Sequence, residues 1–168
     1  MARIAYADPP YIGQAKKHYG KEVSYGGEVD HVALIKTLVE YDGWALSASS
    51  PSLQYILSIC PENVRVAAWV KPFASFKPNV NPAYCWEPVL FVPARKRGRD
   101  KPTVRDFVSA NITLKKGLSG AKPPAFGEWI YDLLQMEPDD DFFDLFPGTG
   151  AVADAITSAK QKEKGESK

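Results

Sequence analysis

Near the C-terminus, Asp144-Leu145-Phe146-Pro147-Gly148-Thr149-Gly150 joins a short apolar stretch, residues 142–146, to a helical pattern that starts at Ala151. A strand, a Gly-rich turn and a helix start in that order commit a chain to packing helices on a sheet. The glycines let the backbone approach a ligand closely, and the helix N-terminus offers free N–H groups. The same alternation recurs upstream. Residues 3–7 read as a strand ending at Asp8. Asp30 is placed to cap a helix with Val32, Leu34, Ile35, Leu38 and Val39 at helical spacing, ended by Asp42-Gly43. Residues 44–47 read as a strand. Ser50-Pro51 starts a second helix with Leu53, Ile56, Leu57 and Ile59 as its buried face, ended by Pro61. The expected class is α/β with a largely parallel sheet.

Two strands, 64–70 and 88–92, follow without an intervening helix and predict an antiparallel hairpin at one edge. Between them the Pro- and Asn-rich residues 71–84 form a loop. Residues 102–121 have weak periodicity. Lys122-Pro123-Pro124 leads into a helix with Trp129, Ile130, Leu133 and Leu134 on one side, ended by Pro138, and the tail from Lys160 reads as polar and frayed. The expected organisation is one domain over 1–160 with a polar tail over 161–168.

With 168 residues, 45% hydrophobic and 24% charged, the chain is long enough for one domain with a real core. No apolar run reaches the roughly 18 residues of a membrane span, and residues 1–6 lack the apolar core of a secretory signal. Cys60 and Cys85 have neither CxxC spacing nor a His cluster, so a reduced cytoplasmic setting is expected and a metal site is not. A net charge of +1 requires any nucleic-acid surface to be a local patch. Arg95, Lys96, Arg97, Arg99 and Lys101 put five cations within seven residues, suited to phosphates or to a solvated loop. Lys16, Lys17 and Lys71 are further candidates for contacting nucleic acid. His18 and His31 have no partners visible in the sequence.

At the other end of the chain, Asp8-Pro9-Pro10-Tyr11 ends the first strand. The exocyclic amine of adenine is a poor nucleophile because its lone pair is delocalised. Two acceptors aimed at its hydrogens favour pyramidalisation and free that lone pair. The Asp8 carboxylate and the Pro9 carbonyl suit this role, with Pro10 fixing the backbone. The Tyr11 ring suits stacking on a base that has left the duplex.

Taken together, and in this order, the two motifs resemble the permuted, beta-class S-adenosylmethionine-dependent DNA methyltransferases that methylate adenine N6. The segment 144–150 matches their Asp-x-Phe-x-Gly-x-Gly loop at every fixed position. The resemblance implies a Rossmann-like methyltransferase fold, circularly permuted. It implies that Asp8, Pro9, Pro10 and Tyr11 are catalytic. It assigns Asp8, Lys122, Pro123, Asp144, Phe146, Gly148, Thr149 and Gly150 to S-adenosylmethionine, with Lys122-Pro123 standing where the family's Lys-Pro segment holds the methionine part. Asp at the first motif position favours adenine N6, where Ser would point to cytosine N4. Trp69-Val70-Lys71-Pro72 and Trp86-Glu87-Pro88-Val89 resemble stretches of the adenine-N6 branch beside the target base, so Trp69, Lys71, Trp86 and Glu87 are candidates for the substrate side; the alternative is that the tryptophans are core and Glu87 pairs with a nearby Lys or Arg.

In the family the cofactor strand and helix are followed by a strand whose acid binds the cofactor ribose. Eighteen residues follow Gly150 here. The expectation is a sheet lacking two edge strands, its open edge at 142–146 covered by a second copy or by a partner subunit. The region for target recognition is short, as in a small phage-type enzyme of a bacterial cytoplasm. A catalytically inactive nucleic-acid-binding partner subunit, and a methylase of cytosine N4 or of RNA adenine, remain as alternatives.

Overall fold

The computed structural model describes residues 1–13, 28–73, 78–115 and 118–166. Lys16 and Lys17 lie outside the described residues.

A six-stranded sheet forms the centre, in the order β5-β3-β4-β2-β1-β8. Its strands are β1 (Arg3–Ala7), β2 (Gly43–Ser47), β3 (Arg65–Val70), β4 (Trp86–Val92), β5 (Phe107–Ser109) and β8 (Asp141–Asp144). β1 pairs in parallel with both β2 and β8, and β3 in parallel with β5, while β4 runs antiparallel between β2 and β3. A separate antiparallel hairpin, β6 (Thr113–Lys115) and β7 (Leu118–Ala121), precedes the third helix.

Alternation along the strands sends side chains to two cores. Ile4, Tyr6, Trp69 and Phe91 face α3 (Pro124–Leu133) and α4 (Ala151–Glu166), which supply Phe126, Trp129, Ile130 and Ile156. Ala5, Ala7, Trp44 and Leu46 face α1 (His31–Leu38) and α2 (Leu53–Ser58), which supply Leu34, Leu38 and Ile56. The result is a three-layer α/β sandwich.

Asp30 caps α1 as expected, its Oδ1 accepting from the Ala33 N–H at 3.0 Å. Four other expectations change. Val32, Val39 and Leu57 are exposed, because short helices at a sheet margin bury only a narrow stripe. The β3–β4 pair is antiparallel but is not the edge, since β5 adds outside β3 from a stretch with little periodicity to reveal it. α3 ends at Leu133 rather than Pro138, and Gln135, with φ +57°, turns the chain. The tail is helical through Glu166. Contacts distant in sequence hold it there: Tyr131 donates to Glu163 at 2.5 Å, Lys162 pairs with Glu128 at 2.6 Å and Lys164 with Asp139 at 2.8 Å.

β8 is the last strand in its sheet, and among the described residues only β1 pairs with it. Arg3 stacks over the Tyr41 and Phe143 rings at 4.9 and 5.5 Å, shielding one face of this edge. No helix of the described residues is long and apolar enough to cross a membrane.

Candidate active site

The two motifs meet because their strands are neighbours. Tyr6 and Asp144 are register partners in the parallel pair β1–β8, and the Leu145 N–H donates to the Tyr6 carbonyl at 2.9 Å. Both turns therefore leave the same end of the sheet, side by side. Open α/β sheets form ligand crevices at the carboxyl ends of their parallel strands.

The Gly-rich turn has the conformation its residues suggest. Gly148 and Gly150 take φ +50° and +76°, a region L side chains rarely adopt. Asp144 Oδ1 accepts from the Phe146 N–H at 3.2 Å, and the Gly150 N–H bonds the Pro147 carbonyl at 2.7 Å. Open space surrounds the position of a Cβ on Gly150, and α4 begins one residue later. Thr149 is exposed and Phe146 half-buried. Burial pushes the Asp144 carboxyl up, the Phe146 N–H opposes this, and the nearby negative charge of Asp8 pushes it up further. Two carboxylates near each other at one end of the sheet form a setting that a cationic ligand relieves.

Asp8, Pro9, Pro10 and Tyr11 follow β1. Asp8 Oδ2 lies 3.1 Å from Lys122 Nζ; Asp8 Oδ1 has no partner among the described residues. Lys122 is 8% exposed, delivered by β7 and fixed by Pro123 and Pro124 at the start of α3. Its ammonium stacks on Trp69, 4.9 Å from the ring centroid, and lies 3.2 Å from Glu87 Oε2. Burial opposes the charge on Lys122, but Asp8 and Glu87 outweigh it and hold its pKa above the usual lysine value.

Glu87 is the centre of this network. It accepts from the Tyr11 hydroxyl at 2.5 Å and from Lys71 Nζ at 2.8 Å, in addition to Lys122. Burial pushes its carboxyl up, yet Lys122, Lys71 and the Tyr11 hydroxyl bring it below the usual range. Tyr11 in turn is driven well above the usual phenol value by burial and by the charges of Asp8 and Glu87, so its hydroxyl donates. Pro88 explains how a strand residue reaches the site. Ala48 donates to the Pro88 carbonyl at 3.0 Å, but Pro88 has no N–H to return, so the β2–β4 ladder stops there and Glu87 lies beyond it.

The basic run does not join this site. β4 runs antiparallel, with Trp86 opposite the end of β3 and Val92 opposite the start of β2, so residues 95–101 leave from the far end of the sheet. Arg95 is structural: it grips Asp140 with two nitrogens at 2.7 and 2.8 Å and bonds the Gln135 carbonyl at 2.6 Å. Arg97 bonds the Gln135 side chain at 3.0 Å and the Pro102 carbonyl, and Lys101 lies 3.7 Å from Glu163. Lys96 and Arg99 are exposed. Lys71 is not a free cation either, being paired with Glu87.

Of the two readings of Glu87, the ion pair with nearby cations is present, to Lys71 and Lys122, while its bond to the Tyr11 hydroxyl was not foreseen. Sequence reasoning also missed Ser47, whose hydroxyl lies 2.8 Å from the buried Tyr6 hydroxyl beneath the turn. The Trp-Glu-Pro-Val string at the head of a buried strand was the available signal.

Comparison with solved structures finds the same fold in M1.HpyAVI. The crystal structure of the M1.HpyAVI–SAM complex superposes with a TM-score of 0.60 at 19% identity, covering 95% of this chain and 78% of that one. M1.HpyAVI alone gives 0.58 at 20% identity, covering 95% and 77%. The Rossmann-like α/β architecture expected from the sequence is thus the fold found, and M1.HpyAVI shares it. No family model matches the chain, and no curated protein matches it.

Proposed function

We propose that this chain transfers a methyl group from S-adenosylmethionine to the N6 amine of adenine in DNA. The observation that carries the reading is the register of Tyr6 with Asp144, which sets the Asp8–Tyr11 turn beside the Gly-rich turn at one end of the sheet. The fold shared with M1.HpyAVI, crystallised as a complex with SAM, supports it. So does the order of the motifs, with the Asp-Pro-Pro-Tyr turn after the first strand and the Gly-rich turn after the last, as in the permuted class.

The residues fit the cofactor. Positive-φ glycines and the α4 N-terminus form a cradle for a nucleoside, and Asp8 and Asp144 suit a ligand bearing a sulfonium and an ammonium. S-adenosylmethionine supplies, when bound, a methyl carbon activated by a sulfonium. The chain supplies the rest. Asp8 Oδ1 and the Pro9 carbonyl accept from the two amine hydrogens, and the Tyr11 ring stacks on the flipped base. Transfer would exchange the methyl–sulfur bond for a methyl–nitrogen bond, leaving a neutral thioether, and the Asp8 carboxylate is placed to stabilise the positive charge this puts on N6. The proton then leaves through Asp8 to water, and no strong base is needed. Phe73, Tyr84 and Trp86, all exposed, flank the ends of β3 and β4 nearest Glu87 and offer faces for nucleobases.

Isothermal titration with S-adenosylmethionine tests the cofactor half of this reading. Micromolar binding that is lost in Gly148→Asp supports it. Equal titrations for the two proteins, or none for either, contradict it and favour a nucleic-acid-binding partner subunit.

A further inference from the structure

Two residues of the catalytic turn answer to one carboxylate on another strand. Glu87 Oε2 takes the Tyr11 hydroxyl at 2.5 Å and Lys122 Nζ at 3.2 Å; the same Nζ lies 3.1 Å from Asp8 Oδ2. Glu87 thus holds the last residue of the turn directly and the first through a shared ammonium. We propose that Glu87 is a positioning residue for methyl transfer, orienting the Tyr11 ring and holding Lys122 partly off Asp8 so that Asp8 stays open to the amine. The inference rests on the functional reading above and adds to it a residue that never touches the reacting atoms.

Lys122 is buried and stacked on Trp69, so it is largely withdrawn from water and divides itself between the anions within reach. Its two carboxylate distances are almost equal, which describes a divided cation. Lys71, 2.8 Å away on Oε1, anchors Glu87 from the other side. With the Glu87 charge removed, Asp8 becomes the only anion among the described residues paired with Lys122. The ammonium then closes on Asp8 and competes with the amine hydrogens for its lone pairs. Tyr11 loses its tether in the same step, and its ring is free to leave the orientation that stacks on a base. A purely structural role predicts neither effect on turnover.

The test uses the full chain, with tyrosine labelled with carbon-13 at Cζ, in wild-type, Glu87→Gln, Tyr11→Phe and doubly substituted forms. The Tyr11 signal is the one that disappears in Tyr11→Phe. We expect that signal to shift in Glu87→Gln. We expect kcat of Glu87→Gln to fall roughly tenfold or more, with KM for S-adenosylmethionine within about threefold of wild type. The double variant is expected to be no slower than Glu87→Gln, because the hydroxyl acts through that carboxylate. If Glu87→Gln does not fold, Tyr11→Phe carries the test, since it keeps the ring; it should lower kcat and leave KM steady. An unmoved Tyr11 signal in Glu87→Gln, losses that multiply in the double variant, or an unchanged kcat in Tyr11→Phe overturns the positioning role. A wild-type protein whose Tyr11 signal responds to Glu87→Gln, yet which methylates nothing, overturns the functional reading instead.

Discussion

Asp8 and Lys122, far apart in the sequence, meet at 3.1 Å just beyond the end of β1. The pair forms because β1 ends in Asp8 while β7 and the paired prolines of α3 deliver Lys122 to the same end of the sheet. Glu87 supplies a second anion for Lys122, so the buried ammonium does not depend on Asp8 alone.

Asp8→Ala should therefore lower turnover steeply without unfolding the protein. Lys122 keeps Glu87, and the lost acceptor costs about 10²–10³-fold in kcat, the range for one preorganised group at a developing charge. Methyl transfer and thermal melting, measured on the same preparation, check this. Retained turnover would remove Asp8 from the mechanism.

Arg95 and Asp140 should matter to stability rather than to nucleic-acid binding. The Asp140 side chain is 1% exposed, held by Arg95 and by the N–H groups of Ala2 and Glu137. Burial pushes the Asp140 carboxyl up, but the Arg95 bonds and these N–H groups pull it down to about 2. Its folded pKa is thus below the unfolded value of roughly 3.9. The stabilisation is fully present above about pH 4 and is lost as pH falls towards 2. Arg95→Met should cost on the order of 3 kcal/mol by stranding a buried charge. Denaturant melts across that pH range, together with DNA binding at several salt concentrations, separate the two roles. A normal melt with a reduced salt slope would restore Arg95 to the phosphate contacts.

Lys96 and Arg99 are exposed cations of the basic run that make no ion pair among the described residues, and they leave from the end of the sheet remote from Asp8. Replacing both with Glu should change KM for DNA less than about threefold, because exposed charges beyond a Debye length are screened at physiological salt. Steady-state kinetics in 0.15 M salt (roughly an 8 Å Debye length) check this. A tenfold loss would mean that DNA reaches round to that end.

At Gly127 α3 and α4 pack with no room for a side chain. A Cβ there would lie 2.5 Å from the Ala155 Cβ and 3.3 Å from the Val152 carbonyl oxygen. Gly127→Ala should destabilise the fold by about 1–3 kcal/mol through overpacking. It should also weaken S-adenosylmethionine binding, because α4 carries the Gly-rich turn at its start. Calorimetry on the free protein and on the mixture checks both effects.

The local features were legible in the sequence because local chemistry writes them. Asp30 reads as a cap, Gly148 and Gly150 as a turn, and the apolar spacing of Trp129, Ile130 and Leu133 as a buried helix face. The Glu87 network was not legible, since it needs β4 to run antiparallel between β2 and β3. The same strand direction moves residues 95–101 away from the site, which charge density along the chain has no means of showing. The helix beyond Lys160 was hidden for a related reason. Its sequence is polar, and the Tyr131–Glu163 and Lys162–Glu128 contacts that hold it cross from another element. Strand β5, three residues long, carries too short a pattern to stand out.

The central claim is methyl transfer to adenine N6, and the product nucleoside tests it most directly. Unmethylated DNA is incubated with the protein and S-adenosylmethionine, digested, and its nucleosides resolved by mass spectrometry, with Asp8→Ala in parallel. The expected result is N6-methyldeoxyadenosine from the wild type and about a hundredfold less, or lower still, from Asp8→Ala in the same time. N4-methyldeoxycytidine, methylated product from RNA alone, or no product from a protein that binds the cofactor would contradict it.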